Sequence, residues 1–228
     1  MGHITKNRPM YTLYTLPGSR ATAVEMVIAE LGLDAEVFHI DITRNEHRSV
    51  EYKQINPRAT IPALIDNDMV VTVCETVATM LYVADKHQAA FLAPPPGDPD
   101  RALLLDWLAY HSIEVQEPVK RSWYAHRYAE TSEGEEIVRS QANSLFAERW
   151  HIVEKHLAEN GPYHLGHRYS LVDIYLLITS TFSGQLAPGN FPAIAECIRL
   201  TRSRHAIKPL FEAHIAGLKR ISRIGVPG

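Results

Sequence analysis

The sequence predicts an α+β fold in two parts: a small mixed sheet with helices packed on it, then an all-helical domain. Three observations carry this. Residues 1–88 alternate short strand-like and helix-like stretches in the order β-α-β-α-β-β-α. Residues 88–100 (QAAFLAPPPGDPD) hold four prolines and one glycine, and three consecutive prolines cannot continue a helix. Beyond them almost every stretch reads as helix. The domains therefore read as 1–88, a linker over 89–100, and 101–228.

Each element has its own signal. Residues 10–15 (MYTLYT) are short, β-branched and aromatic, and Pro17-Gly18-Ser19 closes them with a turn. Over 21–31, Val24, Val27, Ile28 and Leu31 share one helical face, and Gly32 suits the C-terminal cap. Residues 36–40 read as a second strand and 44–54 as a short polar helix. Residues 62–65 and 69–73 form a hairpin around Asp66-Asn67-Asp68. Residues 75–87 are helical, with Val77, Met80, Leu81 and Ala84 on one face. In the second part, 101–127 and 134–159 predict long helices. A loop through Gly161-Pro162 and Gly166 precedes Ser170-Leu-Val-Asp173, a capping box with Asp where Glu is commoner. Residues 171–182 are apolar nearly all round and predict the core helix of this part. Residues 192–202 and 206–219 complete the bundle.

Composition excludes several classes. Hydrophobic residues make up 46% of the 228, enough for a real core. No stretch reaches the roughly 18 apolar residues of a membrane helix. The N-terminal MGHITKNRP carries charge with no apolar run behind it, which argues against a secretory signal. Two cysteines, Cys74 and Cys197, cannot build a disulfide framework, so a reduced cytoplasmic protein is expected. A net charge of −3 argues against a nucleic-acid partner. There are twelve histidines. Neither His151 and His156 nor His164 and His167 match a metal motif, so no metal is expected.

Four segments in order resemble the cytosolic glutathione transferase superfamily, in its bacterial serine/theta- or beta-like members. Asn56-Pro-Arg-Ala-Thr-Ile-Pro-Ala-Leu64 is similar to the family's NPxxxVPxL segment, with Ile for Val. Glu75-Thr76 resembles its Glu-Ser pair. The Ser170–Asp173 box resembles the cap of its central C-terminal helix, and residues 192–209 resemble its late helices. The resemblance covers nearly the whole chain. It implies a thioredoxin-like first domain and glutathione as co-substrate without a metal. It also implies a small hydrophobic electrophile as second substrate, a homodimer, and a role in detoxification, with no nucleic-acid or membrane partner.

The chemistry behind that implication can be stated for each residue. A cis Ile61-Pro62 bond would turn the Ile61 main chain outward to pair with an extended peptide. Glu75 and Thr76 open a helix, where free amides attract a carboxylate. Thr76 suits the α-carboxylate of glutathione and Glu75 its ammonium. His47, nine residues before Asn56, stands where theta-type members contact the glycine carboxylate, with Arg48, Lys53, Gln54 and Arg58 as further donors. A free thiol has a pKa of roughly 8.5, so a neutral solution holds only a few per cent thiolate. Lowering it by about two units takes ~2.7 kcal/mol of anion stabilisation. Ser19, at the turn into the first helix, is the first choice for that work, with Arg20 as an added cation. Thr15, Thr22, Tyr11 and Tyr14 are the other candidates. Arg20 replaces the cysteine of beta-type members, which counts against disulfide chemistry there. Trp107, Tyr110, His111 and Trp123 are expected to line the electrophile pocket. The leading function is thiolate attack on an electrophile. A glutathione-dependent isomerase, lyase or dehalogenase, and a non-catalytic glutathione-binding module, are the alternatives.

Overall fold

The computed structural model describes residues 8–182 and 189–224, with side chains to residue 221. The charged N-terminal stretch lies mostly outside the described residues. Strand β1 (Tyr11–Thr15) buries Tyr11, Leu13 and Thr15 in alternation, as a two-residue period requires. It pairs in parallel with β2 (Ala35–His39) and antiparallel with β3 (Ala63–Asp66), which pairs antiparallel with β4 (Val71–Cys74). The strand order is β2-β1-β3-β4. Helix α1 (Thr22–Glu30) makes the crossover between β1 and β2, burying Val24, Val27 and Ile28. Helix α2 (Val50–Ile55) is short, capped by Ser49, and buries Tyr52. Helix α3 (Thr76–Lys86) follows β4 and buries Met80, Val83 and Ala84.

The helical part holds α4 (Pro99–Tyr110), α5 (Gln116–Trp123), α6 (Ser132–Asn160), α7 (Leu171–Ser180) and α8 (Pro192–Arg202). The expected helix over 101–127 is interrupted by a π-helical turn, His111–Val115. Pro118 gives the reason. It has no N–H for the Glu114 carbonyl and would clash with it, so the preceding turn widens and Gln116 N–H bonds the His111 carbonyl instead. Helix α7 is buried from Leu171 to Thr179, as its apolar composition predicts. The capping box forms: Asp173 Oδ2 accepts from Ser170 N–H at 2.8 Å and from its hydroxyl at 3.0 Å.

The chain divides into two compact units, Met1–Val83 with Pro209–Pro227, and Ala84–Lys208. This differs from the division at 89–100 in two ways. The last helix, α9 (Lys208–Ile224), groups with the sheet. The Pro-rich stretch is no free linker: Leu92, Ala93 and Pro94 are buried, and the Leu92 carbonyl accepts Leu171 N–H at 3.0 Å. Arg101 also forks onto Asp85 across that stretch, at 2.7 and 2.8 Å. Helix α3 ends at Lys86, before the first of these prolines, and the segment after it is not detached, because its apolar residues still seek burial.

Candidate functional site

The β1–α1 turn is built by Pro17 and Gly18, the latter at φ +92°, where an L side chain is strained. Ser19 N–H bonds the Leu16 carbonyl at 3.0 Å. The Ser19 hydroxyl donates to the same carbonyl at 2.7 Å and accepts Ala21 N–H at 3.2 Å. Its hydrogen is therefore committed within the turn. Ala21 caps α1 with no side-chain bond, and the Arg20 amide donates to no partner among the described residues. Ser19 and Arg20 are both half-buried. Of the other candidate hydroxyls, those of Thr15 and Thr22 are engaged. Thr15 donates to Glu25 Oε1 at 2.7 Å, and burial holds that carboxyl above its ordinary pKa. Thr22 Oγ1 lies 3.1 Å from His214 Nδ1. Burial, then Asp66, pushes the Tyr11 phenol up to about 12, and Tyr14 stacks on Phe38 at 5.3 Å.

The strand ends beside this turn carry the remaining main-chain groups. Tyr14 lies opposite Ala63, and Ala63 opposite Cys74, so β1, β3 and β4 end side by side. At about 4.8 Å between strands, the β1–α1 turn and the start of α3 are two strand spacings apart, roughly 10 Å. Between them the Ile61-Pro62 peptide bond is cis, as expected. Buried Asn56 shapes the approach to it: its Oδ1 accepts Arg58 N–H at 3.1 Å and its amide donates to the Thr60 carbonyl at 2.7 Å. The Tyr52 hydroxyl donates to that carbonyl too, at 2.7 Å. Neither the N–H nor the C=O of Ile61 is paired among the described residues. Glu75 follows β4 at φ +73°, an uncommon conformation for a non-glycine and one that clusters at functional sites. Its carboxylate is exposed and meets Arg58 Nη1 at 3.3 Å. Thr76, 7% exposed, opens α3. Burial, the dominant cause, raises the pKa of the Cys74 thiol, so it is no thiolate.

His47 and Lys53, expected to meet the glycine carboxylate of glutathione, stand differently from one another. His47 sits in a 3₁₀ turn with Nδ1 buried and unpartnered, and burial, then Arg48, lowers its pKa. It is a neutral donor rather than a cation at pH 7. Lys53, on α2, is exposed.

Known proteins resemble this chain over most of its length. Residues 9–85 match the family described as glutathione S-transferase, N-terminal domain. A glutathione transferase homolog from Sulfitobacter, with bound glutathione, superposes with a TM-score of 0.80 at 26% identity, over 90% of this chain and 98% of that one. Residues 9–85 belong to the family of glutathione S-transferase N-terminal domains. A glutathione transferase from Methylococcus capsulatus is similar at 29% identity and a TM-score of 0.78, over 90% of this chain and 99% of that one. Glutathione S-transferase 3 of Zea mays is 26% identical over 211 residues, 90% of this chain and 93% of the relative.

The residues expected to line an electrophile pocket are placed less favourably for that role. Trp107 and His111 lie in the interior of the helical unit, and Tyr110 is half-buried. Trp107 packs on His156 and His164, at 4.3 and 5.2 Å between ring centres. Trp123 is exposed and meets Phe182 edge-on at 5.6 Å. Helical spacing marked an apolar face, and the core took it. A separate cavity of about 460 Å³ lies between α5 and α6, lined by Arg121, Tyr128, Val138, Gln141, Ala142 and Leu145.

Sequence reasoning missed a buried polar chain. Asp173 Oδ1 accepts from His164 N–H (3.0 Å), His164 Nδ1–H (2.9 Å) and the Cys197 thiol (3.4 Å). With that tautomer, assigned from the network, His164 Nε2 accepts from His111 Nε2–H at 3.0 Å. Burial, then His164 and His156, holds the His111 pKa well below its ordinary value. The His164, Asp173 and Cys197 donor atoms also lie within 4.8 Å of one another. The sequence marked Asp173 as a cap residue and His111 as a pocket residue; that they join His164 and Cys197 in one network had no signal.

Proposed function

We propose that the chain is a glutathione S-transferase that ionises the glutathione thiol at the N-terminus of α1 and directs it at an electrophilic small molecule. The alignment of three groups along one sheet end supports this most directly. The unpaired Ile61 main chain lies between the Ser19-Arg20 turn and the Glu75-Thr76 helix start. A tripeptide backbone spans roughly 10 Å, the same as the separation of the outer two. Its α-carboxylate meets the Thr76 hydroxyl and the α3 N-terminus, its ammonium Glu75, and its cysteine main chain Ile61 beside Pro62. The sulfur then falls at the Ser19-Arg20 turn. His47 and Lys53 serve the glycine carboxylate.

The committed Ser19 hydroxyl refines the activation step. The free Arg20 amide and the positive end of α1 stabilise the thiolate, and Ser19 adds a bond by swinging from Leu16. Trp123 is the exposed member of the expected electrophile pocket and remains assigned to it. A homodimer belongs to the same proposal and is checked by sedimentation. The engaged Ser19 hydroxyl also favours a second reading, a non-catalytic glutathione-binding module. Isomerase, lyase and dehalogenase chemistry would begin with the same thiolate.

Calorimetric titration with glutathione and an assay with a chlorodinitrobenzene-type electrophile test the proposal. Binding with turnover is expected, and Thr76→Val should weaken binding about tenfold, ~1.4 kcal/mol, at unchanged melting temperature. Binding without turnover selects the module. No binding at millimolar glutathione sinks both readings.

A further inference from the structure

We infer that helix α9 is a positioning element for the β1–α1 turn, acting through Gly217 and His214; the inference rests on the transferase reading, in which that turn activates the thiol. Gly217 lies main chain against main chain on the turn. A Cβ there would sit 2.1 Å from the Pro17 carbonyl oxygen and 2.8 Å from Gly18 N. The reverse holds as well: a Cβ on Gly18 would sit 2.5 Å from Leu218 N. Backbone meets backbone on both sides, so no flexible side chain can yield. Three residues earlier, His214 Nδ1 lies 3.1 Å from Thr22 Oγ1, and both residues are buried.

These two contacts flank the groups that matter. Pro17-Gly18 precedes Ser19 and Arg20, and Thr22 follows them. The turn between is held locally by the Ser19 hydroxyl and amide on the Leu16 carbonyl, by Ala21 N–H on the Ser19 hydroxyl, and by Thr22 and Ala23 N–H on the Ser19 and Arg20 carbonyls, while the cap residue of α1 is alanine. A helix start without a side-chain cap has weak local control over where its free amides point. Here a segment 192 residues away in sequence adds to the local bonds and fixes the turn as a whole. A displacement of a few tenths of an ångström in Pro17 moves the Ser19 oxygen and the Arg20 amide together. An oriented donor loses much of its value to an anion when it shifts by that much. His214 and Gly217 are positioning residues, because neither is placed to touch the sulfur.

The test uses the full chain and reads the ionisation of bound glutathione by ultraviolet thiolate absorbance, alongside kcat and calorimetric affinity. Gly217→Ala is expected to raise the bound-thiol pKa by about one unit and lower kcat about tenfold, with affinity within about threefold. His214→Phe and Thr22→Val should each lower kcat several-fold, and the double variant should be no worse than the worse single. His214→Gln, which keeps a hydrogen-bond partner for Thr22, should restore most of the loss. Thr22→Val is near-isosteric and keeps the experiment decisive if Gly217→Ala fails to fold. Wild type that neither binds glutathione nor lowers its thiol pKa overturns the transferase reading. Wild type that does both, with thiol pKa and kcat unmoved in Thr22→Val and in any folded Gly217→Ala, overturns the α9 inference alone.

Discussion

The two units spend their polar side chains in opposite ways. In the sheet unit, polar groups at one end stay accessible: Glu75 is exposed, Ile61 offers an unpaired main chain, and the Arg20 amide has no partner among the described residues. In the helical unit, His111, His164, Asp173 and Cys197 bond one another inside the core. The first arrangement leaves bonding capacity for a ligand. The second uses its capacity on the fold. His111 Nδ1 is left buried without a partner among the described residues. The difference teaches that a titratable side chain signals chemistry when its bonds are both unspent and accessible, since a buried, largely satisfied network rigidifies the core instead.

Removing the hub of the closed network should give the largest effect. Asp173→Ala strands Ser170 N–H and hydroxyl, His164 N–H and Nδ1–H, and the Cys197 thiol. Unsatisfied buried donors cost about 1–3 kcal/mol each, with partial relaxation. A loss on the order of 4 kcal/mol is expected in urea unfolding, while glutathione affinity measured well below the new midpoint stays near wild type. A variant as stable as wild type would dissolve the contrast between the units.

Acid should probe both units at an intermediate size. His214 in the sheet unit titrates at about 4, with burial as the cause, and His111 in the helical unit also lies well below its ordinary value. Both are neutral when folded and charged when unfolded below about pH 6.5. The unfolded state then binds more protons, so stability falls as pH falls from about 6.5 towards 4. Each histidine contributes a slope of up to about 1.4 kcal/mol per pH unit in its window. His111→Leu should reduce the slope by one proton's worth. An unchanged acid slope in that variant would show that His111 is charged or exposed in the folded protein.

The sheet unit was the more legible half. Strand alternation, the Pro17-Gly18 turn and the Asn56–Leu64 segment are local patterns, and each landed where its spacing placed it. The interrupted long helix was legible in principle, because Pro118 lies in the expected helix and its carbonyl clash is local. Three features were not. The docking of α9 depends on two glycines, Gly18 and Gly217, whose complementarity no periodicity records. The His111–His164 pair joins residues 53 apart, and nothing local distinguishes a core histidine from a ligand-facing one. The engagement of Ser19 with Leu16 turns on a rotamer, and Ser-rich turns read alike whether the hydroxyl is free or spent.

The smallest effect sharpens the comparison from the open side. Arg58 and Glu75 form an ion pair at 3.3 Å, yet their side chains are 61% and 68% exposed. Water and salt screen such a pair, which typically contributes between nothing and about 1 kcal/mol. Glu75 does not need Arg58 to hold its place, because its carbonyl accepts both the Thr79 amide at 2.9 Å and the Thr79 hydroxyl at 2.8 Å. Those bonds fix the left-handed main chain from within α3. Arg58→Ala should therefore change stability by less than about 0.5 kcal/mol and glutathione affinity by less than about threefold, with any loss vanishing in high salt. Thr79→Val should weaken glutathione more than Arg58→Ala does, although Thr79 is buried and its hydroxyl is spent on the main chain. If Arg58→Ala proved the more damaging, the guanidinium itself would be a ligand contact. The accessible end of the sheet would then owe its geometry to a surface charge and not to the backbone beneath it.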